Sequence, residues 1–326
     1  MNRAGVWRGS VPLAWALLFG CGRPDATGPA ETKPARTASR PSSDLKLRNW
    51  VLEPPVADSE RATRPLRVVC AAPSATEICC ALGWRDGVVG RTRYCRYPPG
   101  IEAVTAIGAA DDTNTEALRA LHPDLVLVAG TSRVITDRLE RLGLRFASLP
   151  DQSLADIFTA IERVGAATGR PETAARLCAG LRAELEQVRR RYAGVPAARV
   201  LLLLGVLSEP PTAPFTAGPG SFHDDLLRLA GHQNVADVGA RAYGPMSLEM
   251  IVRSDPDVII ELDADGRGRP GGDAEARRAW SQFRALRAVA NRRVYALKGQ
   301  HHHVPGPRIA LSFAELCGAI AGERDE

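Results

Sequence analysis

From residue 67 onward, short apolar runs alternate with segments whose apolar residues recur every three or four positions. Val68-Val-Cys-Ala-Ala72 reads as a buried strand and Ser74 to Leu82 as a helix closed by Gly83, with Ser74 and Glu77 at capping-box spacing. Further strands are predicted over 87–90, 125–128 and 145–149, separated by helices over 116–121 and 132–142. Such alternation implies a mostly parallel sheet with helices on its faces. Two long helical patterns follow. The first runs from Ser153 to Thr168 and stops at Gly169-Arg-Pro171; the second sets Ala174, Leu177, Leu181, Leu185, Val188 and Tyr192 on one face before Gly194-Val-Pro196. The strand–helix alternation then resumes, with strands over 200–204, 258–262 and 293–297 and helices over 222–230, 248–253 and about 308–321. Asp263 to Asp273 reads as a Gly/Asp/Arg loop. Its GRGRPGG run lacks the strand-to-helix setting of a phosphate-binding motif.

The two halves repeat one pattern. Glu116-Ala-Leu-Arg-Ala-Leu-His-Pro123-Asp124 and Glu249-Met-Ile-Val-Arg-Ser-Asp-Pro256-Asp257 stand 133 residues apart, and each leads into an apolar run. Arg67-Val-Val-Cys and Arg199-Val-Leu-Leu repeat 132 apart. The expected fold is α/β, with two Rossmann-like lobes of mostly parallel sheet joined by a single long backbone helix and a ligand cleft between the lobes. The expected segments are 67–150 for the N-terminal lobe, 151–196 for the helical region and 197–326 for the C-terminal lobe.

The N-terminus differs in kind. Arg3 and Arg8 precede the apolar stretch Val11 to Gly20, which ends at Cys21. Ten residues are too few to span a bilayer and suit a signal-peptide core. Leu18-Phe19-Gly20-Cys21 resembles a bacterial lipobox, so 1–20 reads as a lipoprotein signal peptide and Cys21 as the lipidated first residue of an exported, membrane-anchored protein of the cell envelope or periplasm. Residues 22–66 hold seven prolines and no sustained periodicity, which marks a disordered tether from Cys21 to 66. A coil of that length spans roughly 35–40 Å. The net charge of +5 and pI near 9.0 come from scattered arginines without aromatic interleaving, which argues against a nucleic-acid partner. Among the other cysteines, Cys70, Cys79, Cys80, Cys95, Cys178 and Cys317, there is no CxxC pair; most read as buried small hydrophobes.

Taken in order, these motifs resemble the helical-backbone class of substrate-binding proteins of ABC importers, and within it the cobalamin and iron-chelate receptors. The carriers are Ala72-Pro-Ser-Ala-Thr-Glu77 with Ala81-Leu-Gly83, Val88-Val-Gly90, Tyr94-Cys-Arg-Tyr97-Pro-Pro99 and Leu121-His-Pro-Asp-Leu-Val126, then Ala217-Gly-Pro-Gly-Ser-Phe222, Leu248-Glu249 and Pro305-Gly-Pro-Arg308. The resemblance implies a monomer that hands its ligand to an ABC permease dimer with a cytoplasmic ATPase. It also implies that Glu116 and Glu249, one per lobe, dock onto arginines of the permease, where bidentate pairing orients the lobes. Local capping explains the same carboxylates otherwise. Thr113 and Glu116 are spaced as a capping box, Glu249 lies in a helical first turn, and Glu77 pairs with Ser74.

Loops after the strands' C-terminal ends should line the cleft. There the ligand-binding candidates are Tyr94, Tyr97, Phe215, Tyr243 and the run His301-His302-His303. Flat aromatic walls suit a planar macrocycle, and tyrosine adds a hydroxyl to an apolar face. The family resemblance aligns Tyr94, Phe215 and Tyr243 with pocket aromatics, but the tryptophan walls of cobalamin receptors have no counterpart near Ala110 and Ala129. The ligand is accordingly a corrinoid, with haem or a ferric siderophore as the alternative; for a siderophore Arg91, Arg93 or Arg241 would supply cationic contacts. Three consecutive histidines cannot all face one way. They read either as a solvated loop before Pro305 or as a source of one axial imidazole for the ligand's metal, with no metal of the protein's own and Cys95 a bystander thiol. No nucleophile elbow, paired metal-ligand helix motif or P-loop occurs, so no catalytic residue or catalytic cofactor is assigned. A metal-dependent enzyme or a sensor lipoprotein on the same fold is the remaining alternative.

Overall fold

The structure is a computed structural model that describes residues 66–323 apart from 110, 131 and 132; the expected signal peptide, Cys21 and the expected tether as far as residue 65 lie outside the described residues. The first lobe runs β1 (Val68–Cys70), α1 (Pro73–Ala81), β2 (Val88–Arg91), α2 (Thr115–Ala120), β3 (Leu125–Ala129), α3 (Arg133–Arg141) and β4 (Phe146–Leu149). Its four strands pair in the order β2-β1-β3-β4, all parallel. Two helices follow, α4 (Leu154–Ala167) and α5 (Pro171–Arg191). The second lobe contains β5 (Arg199–Leu204), β6 (Phe215–Ala217), α6 (Phe222–Leu229), β7 (Gln233–Asn234), β8 (Tyr243–Pro245), α7 (Leu248–Ser254), β9 (Val258–Asp263), α8 (Gly272–Trp280), α9 (Arg287–Ala290), β10 (Val294–Lys298) and α10 (Ile309–Ala321). Its sheet order is β10-β9-β5-β6-β8, with β7 beside the start of β5.

The duplicated Arg and Pro-Asp have a shared structural use. Asp124 Oδ2 accepts the Arg67 amide at 2.8 Å, and Asp257 Oδ2 accepts the Arg199 amide at 2.8 Å. Each arginine side chain then donates to a carbonyl at the end of the helix that leads into the Pro-Asp, Arg67 to Leu121 at 2.8 Å and Arg199 to Ser254 at 2.6 Å. The pattern therefore fastens the start of β1 to β3 and of β5 to β9. It also collects helix-end carbonyls that would otherwise lack partners.

Helix starts differ from two capping expectations. At α1, Pro73 opens the helix and Ala72 is its cap residue, which places Ser74 already inside the first turn; no side chain caps this end and Glu77 is left for another partner. At α2, Asn114 rather than Thr113 caps, accepting from the Ala117 amide at 3.0 Å, while the Thr113 hydroxyl donates to the Ala109 carbonyl at 2.8 Å. A capping box does form at α4, between Ser153 and Asp156.

The second sheet also departs from a purely parallel pattern, because β6 pairs antiparallel with both β5 and β8. β6 and β8 have three residues each, β6 bounded by Pro214 and Gly218 and β8 centred on Gly244, too short for a readable period. The Asp263–Asp273 segment is anchored from within. Arg269 folds inward onto Glu261, with Nε 2.9 Å from Oε2, and its Nη2 donates to the Leu207 carbonyl at 2.6 Å. Trp280 Nε1 and the Leu207 amide donate to the same carboxylate at 3.0 and 2.8 Å.

Strand alternation sorts the core into layers. Val68 and Cys70 of β1, Val200 and Leu202 of β5, and Val258, Ile260 and Leu262 of β9 face one continuous core that includes α1, α4, α5, α6 and α10. The intervening residues Val69, Leu201, Leu203 and Ile259 face separate outer clusters, one per lobe. Helix α5, about 30 Å long at 1.5 Å per residue, packs on α4 and on α10. The lobes thus share an apolar interior along this strut, which restricts their relative motion.

Candidate ligand seam between the lobes

Parallel strands send their following loops to one edge of each sheet. The loop after β2 carries Tyr94 and Tyr97, and the loop after β10 carries residues 299–308. These two loops meet across the lobes. Gln300 Nε2 donates to the Tyr94 carbonyl at 2.6 Å. Arg308, just before α10, reaches α1 of the other lobe and forks onto Glu77, Nε to Oε2 at 2.9 Å and Nη2 to Oε1 at 2.5 Å. Its guanidinium also lies over the Tyr97 ring, 4.1 Å from the centroid. Burial pushes the Glu77 carboxyl up from its ordinary pKa, and the hydrogen bonds and charge of Arg308 oppose that shift. The structure therefore assigns Glu77 to an interlobe ion pair instead of a helix cap.

Tyr94 is 49% exposed, with the Arg93 guanidinium 5.1 Å from its ring centroid. Phe215 is also 49% exposed, and strand alternation puts it on the same face of the β6–β8 ribbon as Tyr243. Tyr243 is half-buried, edge-on to the His223 ring at 6.0 Å. Burial raises its phenol pKa, and the Asp151 carboxylate, just beyond β4, adds to the rise. Arg91 is withdrawn from any ligand role, because it is buried and its guanidinium serves the Ile101, Thr92 and Glu102 carbonyls at 2.9, 3.0 and 2.9 Å. Arg93 and Arg241 remain exposed. Cys95 is buried against the hydroxyls of Thr76 and Thr92 at 3.0 and 3.2 Å, a packing thiol. All six described cysteines are free.

The histidine run is not a solvated loop. Residues 300–302 form a helical turn in which His301 and His302 are buried. His301 Nε2 lies 3.2 Å from Glu315 Oε2; His302 Nε2 lies 2.8 Å from the same oxygen, and its Nδ1 is 2.9 Å from Ser312 Oγ. His303 Nε2 is 3.0 Å from the Leu262 carbonyl, and His223 Nε2 is 2.8 Å from the His302 carbonyl. Each imidazole of the run thus has a nitrogen engaged inside the second lobe. Burial pushes His223 and His302 down to about 3 and about 4. Burial would raise Glu315, but hydrogen bonds from His301 and His302 hold it down to about 2.

These shifts fix a pH dependence. The unfolded histidines take up protons near pH 6.5, whereas the folded His223 and His302 do so only near 3 and 4. Between those values the unfolded state binds more protons, so stability falls as pH drops through the window and is level above it. The Glu315 shift adds a further loss below its ordinary pKa of 4.5. Melting in EDTA-containing buffer should show a flat midpoint from about pH 7 to 8 and a steady decline from about pH 6.5 to 4.

Glu116 and Glu249 are exposed in the first turns of α2 and α7. Both helices precede a parallel strand and run antiparallel to it, so their N-termini lie at the sheet edge where the seam loops emerge. A cavity of about 380 Å³, lined by Arg277, Arg278, Arg284 and Arg292 among others, lies instead near the opposite end of β10.

The family model described as periplasmic binding protein matches residues 68–301. The chain belongs to this family. It is 31% identical to a cobalamin-binding protein of Halobacterium salinarum over 95% of this chain and 82% of that one. It is 27% identical to the ABC transporter substrate-binding lipoprotein YvrC of Bacillus subtilis over 98% of this chain and 97% of that one. Among solved structures it is similar to the apo form of the periplasmic heme-binding protein RhuT from Roseiflexus sp. RS-1, with a TM-score of 0.67, 25% identity, and coverage of 80% of this chain and 99% of that one.

For this periplasmic binding protein, the seam residues that sequence reasoning passed over are Glu77, Gln300, Arg308 and Asp151. Glu77 was hidden by its capping-box spacing from Ser74. Arg308 stood inside a recognised motif, but its partner is 231 positions away in the chain. Helix α10 holds the one available sequence signal: Arg308, Ser312 and Glu315 recur at i, i+4 and i+7, a polar stripe on an otherwise apolar helix.

Proposed function

We propose that this chain is the substrate-binding lipoprotein of an ABC importer and that it captures cobalamin or a related corrinoid between its lobes. The observation that carries the reading is the interlobe seam, where Tyr94 and Tyr97 stand on the loop after β2 beside cross-lobe polar contacts, with Phe215 and Tyr243 on one face of the β6–β8 ribbon of the second lobe. Two exposed aromatic faces can flank a corrin ring, and the shared core along α5 keeps the walls close to their binding distance before the ligand arrives. The 31% identity to a cobalamin-binding protein over nearly the whole chain supports the corrinoid.

Capture is then a matter of binding and orientation, with no bond made or broken. The exposed Tyr94 and Arg93 supply polar contacts at the rim, and the backbone helix limits closure to small rocking. Delivery follows when Glu116 and Glu249 dock onto arginines of the permease dimer, each lobe held by one carboxylate. Cys21 carries the lipid that keeps the receptor at the membrane, a reading supported by the lipoprotein YvrC over almost the full chain.

A haem or ferric chelate is the second reading, favoured by the similarity to RhuT. The inward-turned histidines weigh against axial coordination through this run, because each would have to leave a partner inside the second lobe. Isothermal titration of purified protein with cyanocobalamin, haemin and ferric siderophores separates the readings. Saturation at one cyanocobalamin per chain is expected; binding of haemin alone would replace the corrinoid with haem.

A further inference from the structure

The corner between the histidine turn and α10 gathers donor atoms whose hydrogen bonds stay within the second lobe. Along one face of α10, Arg308 crosses to the first lobe while Ser312 and Glu315 turn back to the histidines. One ring nitrogen of each histidine and a Glu315 carboxylate oxygen all lie within 4.8 Å of one another, and the Nε2 atoms of His301 and His302 stand 3.2 and 2.8 Å from Glu315 Oε2. Ligand atoms of a tetrahedral ion with bonds of about 2.0–2.1 Å stand about 3.3 Å apart, so both separations from Glu315 are already close to an edge of such a site.

We propose that His301, His302 and Glu315 form a divalent transition-metal site held by the protein itself, suited to Zn²⁺ or Co²⁺, with the fourth position left to water. The donor set of two imidazoles and one carboxylate matches the borderline character of these ions. This assignment replaces two sequence expectations, that the protein holds no metal of its own and that a histidine of this run ligates the transported chelate.

Two further features fit the site. The Ser312 hydroxyl beside His302 Nδ1 can accept as readily as it donates. It can therefore hold the tautomer protonated at Nδ1, which leaves the Nε2 lone pair for the ion, an outer partner of the kind that orients metal-bound histidines. Gly299, at φ 140°, leaves the space that the His301 ring occupies: a Cβ there would fall 2.4 Å from His301 Cε1 and 2.5 Å from Nδ1. Glycine is thus required for His301 to point Nε2 at Glu315. An ion bound here would brace the turn that carries Gln300, the residue that reaches Tyr94 of the other lobe.

The test uses the full-length protein, stripped with EDTA and titrated with free Co²⁺ followed by visible d–d absorption and calorimetry. One Co²⁺ per chain is expected, with a tetrahedral-type spectrum and displacement by Zn²⁺. Glu315→Gln and His301→Ala should each weaken binding at least about tenfold, and Gly299→Ala should weaken it with every donor still present. His303→Ala, whose ring is engaged by the Leu262 carbonyl, should leave Co²⁺ binding unchanged. Saturating Zn²⁺ should also raise the melting midpoint of the parent protein and not that of Glu315→Gln, which separates site loss from misfolding. Absence of stoichiometric binding, binding that survives both Glu315→Gln and His301→Ala, or equal loss in His303→Ala would overturn the site. None of these readouts involves the corrinoid, so the site stands or falls apart from the transport reading.

Discussion

The double charge reversal Glu116→Arg with Glu249→Arg is expected to abolish importer-dependent uptake while leaving ligand affinity unchanged. Both carboxylates are exposed, and their helices keep their own caps, Asn114 and Ser247. The fold therefore loses only two interactions with helix dipoles, about 0.3–1 kcal/mol each. Under the proposed docking, the same change at a permease arginine turns a bidentate attraction into like-charge repulsion, which costs several kcal/mol per contact. Single reversals should give intermediate uptake, because one lobe can still dock. Uptake by cells that depend on this receptor, set beside calorimetry on the purified variants, checks both halves. Wild-type uptake, or a large loss of ligand affinity, would assign the pair a structural role.

Replacing Arg308 with Met is expected to destabilise the protein by about 3–5 kcal/mol, because it leaves a buried carboxylate without its counter-charge. Glu77 is 3% exposed, and the Arg308 fork is its main compensation, with a smaller contribution from the charge of His301. At this chain length the loss corresponds to a fall in melting midpoint of roughly 10 °C. The double variant Glu77→Met with Arg308→Met should recover most of it, because both charges are then absent and the apolar side chains fill similar volume. Urea unfolding of the parent, both single variants and the double variant completes the cycle. A change below about 1 kcal/mol in Arg308→Met would mean that water already screens the pair.

Much of the framework could be read from the chain. The apolar runs that became β3, β5 and β9 are nearly continuous, as strands buried on both faces must be, and the long period of α5 marked the strut. The repeated Pro-Asp was legible as a repeat, yet its role of pinning the entries to β1 and β5 depends on partners 57 and 58 positions away. The short β6 and β8 escaped notice because three residues cannot show a period. At the site, local spacing misled. Ser74 and Glu77 have capping-box spacing, but Pro73 moves the helix start and frees Glu77 for Arg308. The histidine run was visible; its direction was not, because Ser312 and Glu315 on α10 turn it inward.

The absorption spectrum of the full-length protein purified with its natural ligand tests the central claim most directly. A corrinoid spectrum, with the ligand released on denaturation at close to one per chain, is the predicted result. A haem Soret spectrum, or a purified protein that carries no chromophore and takes up no added corrinoid, would contradict it.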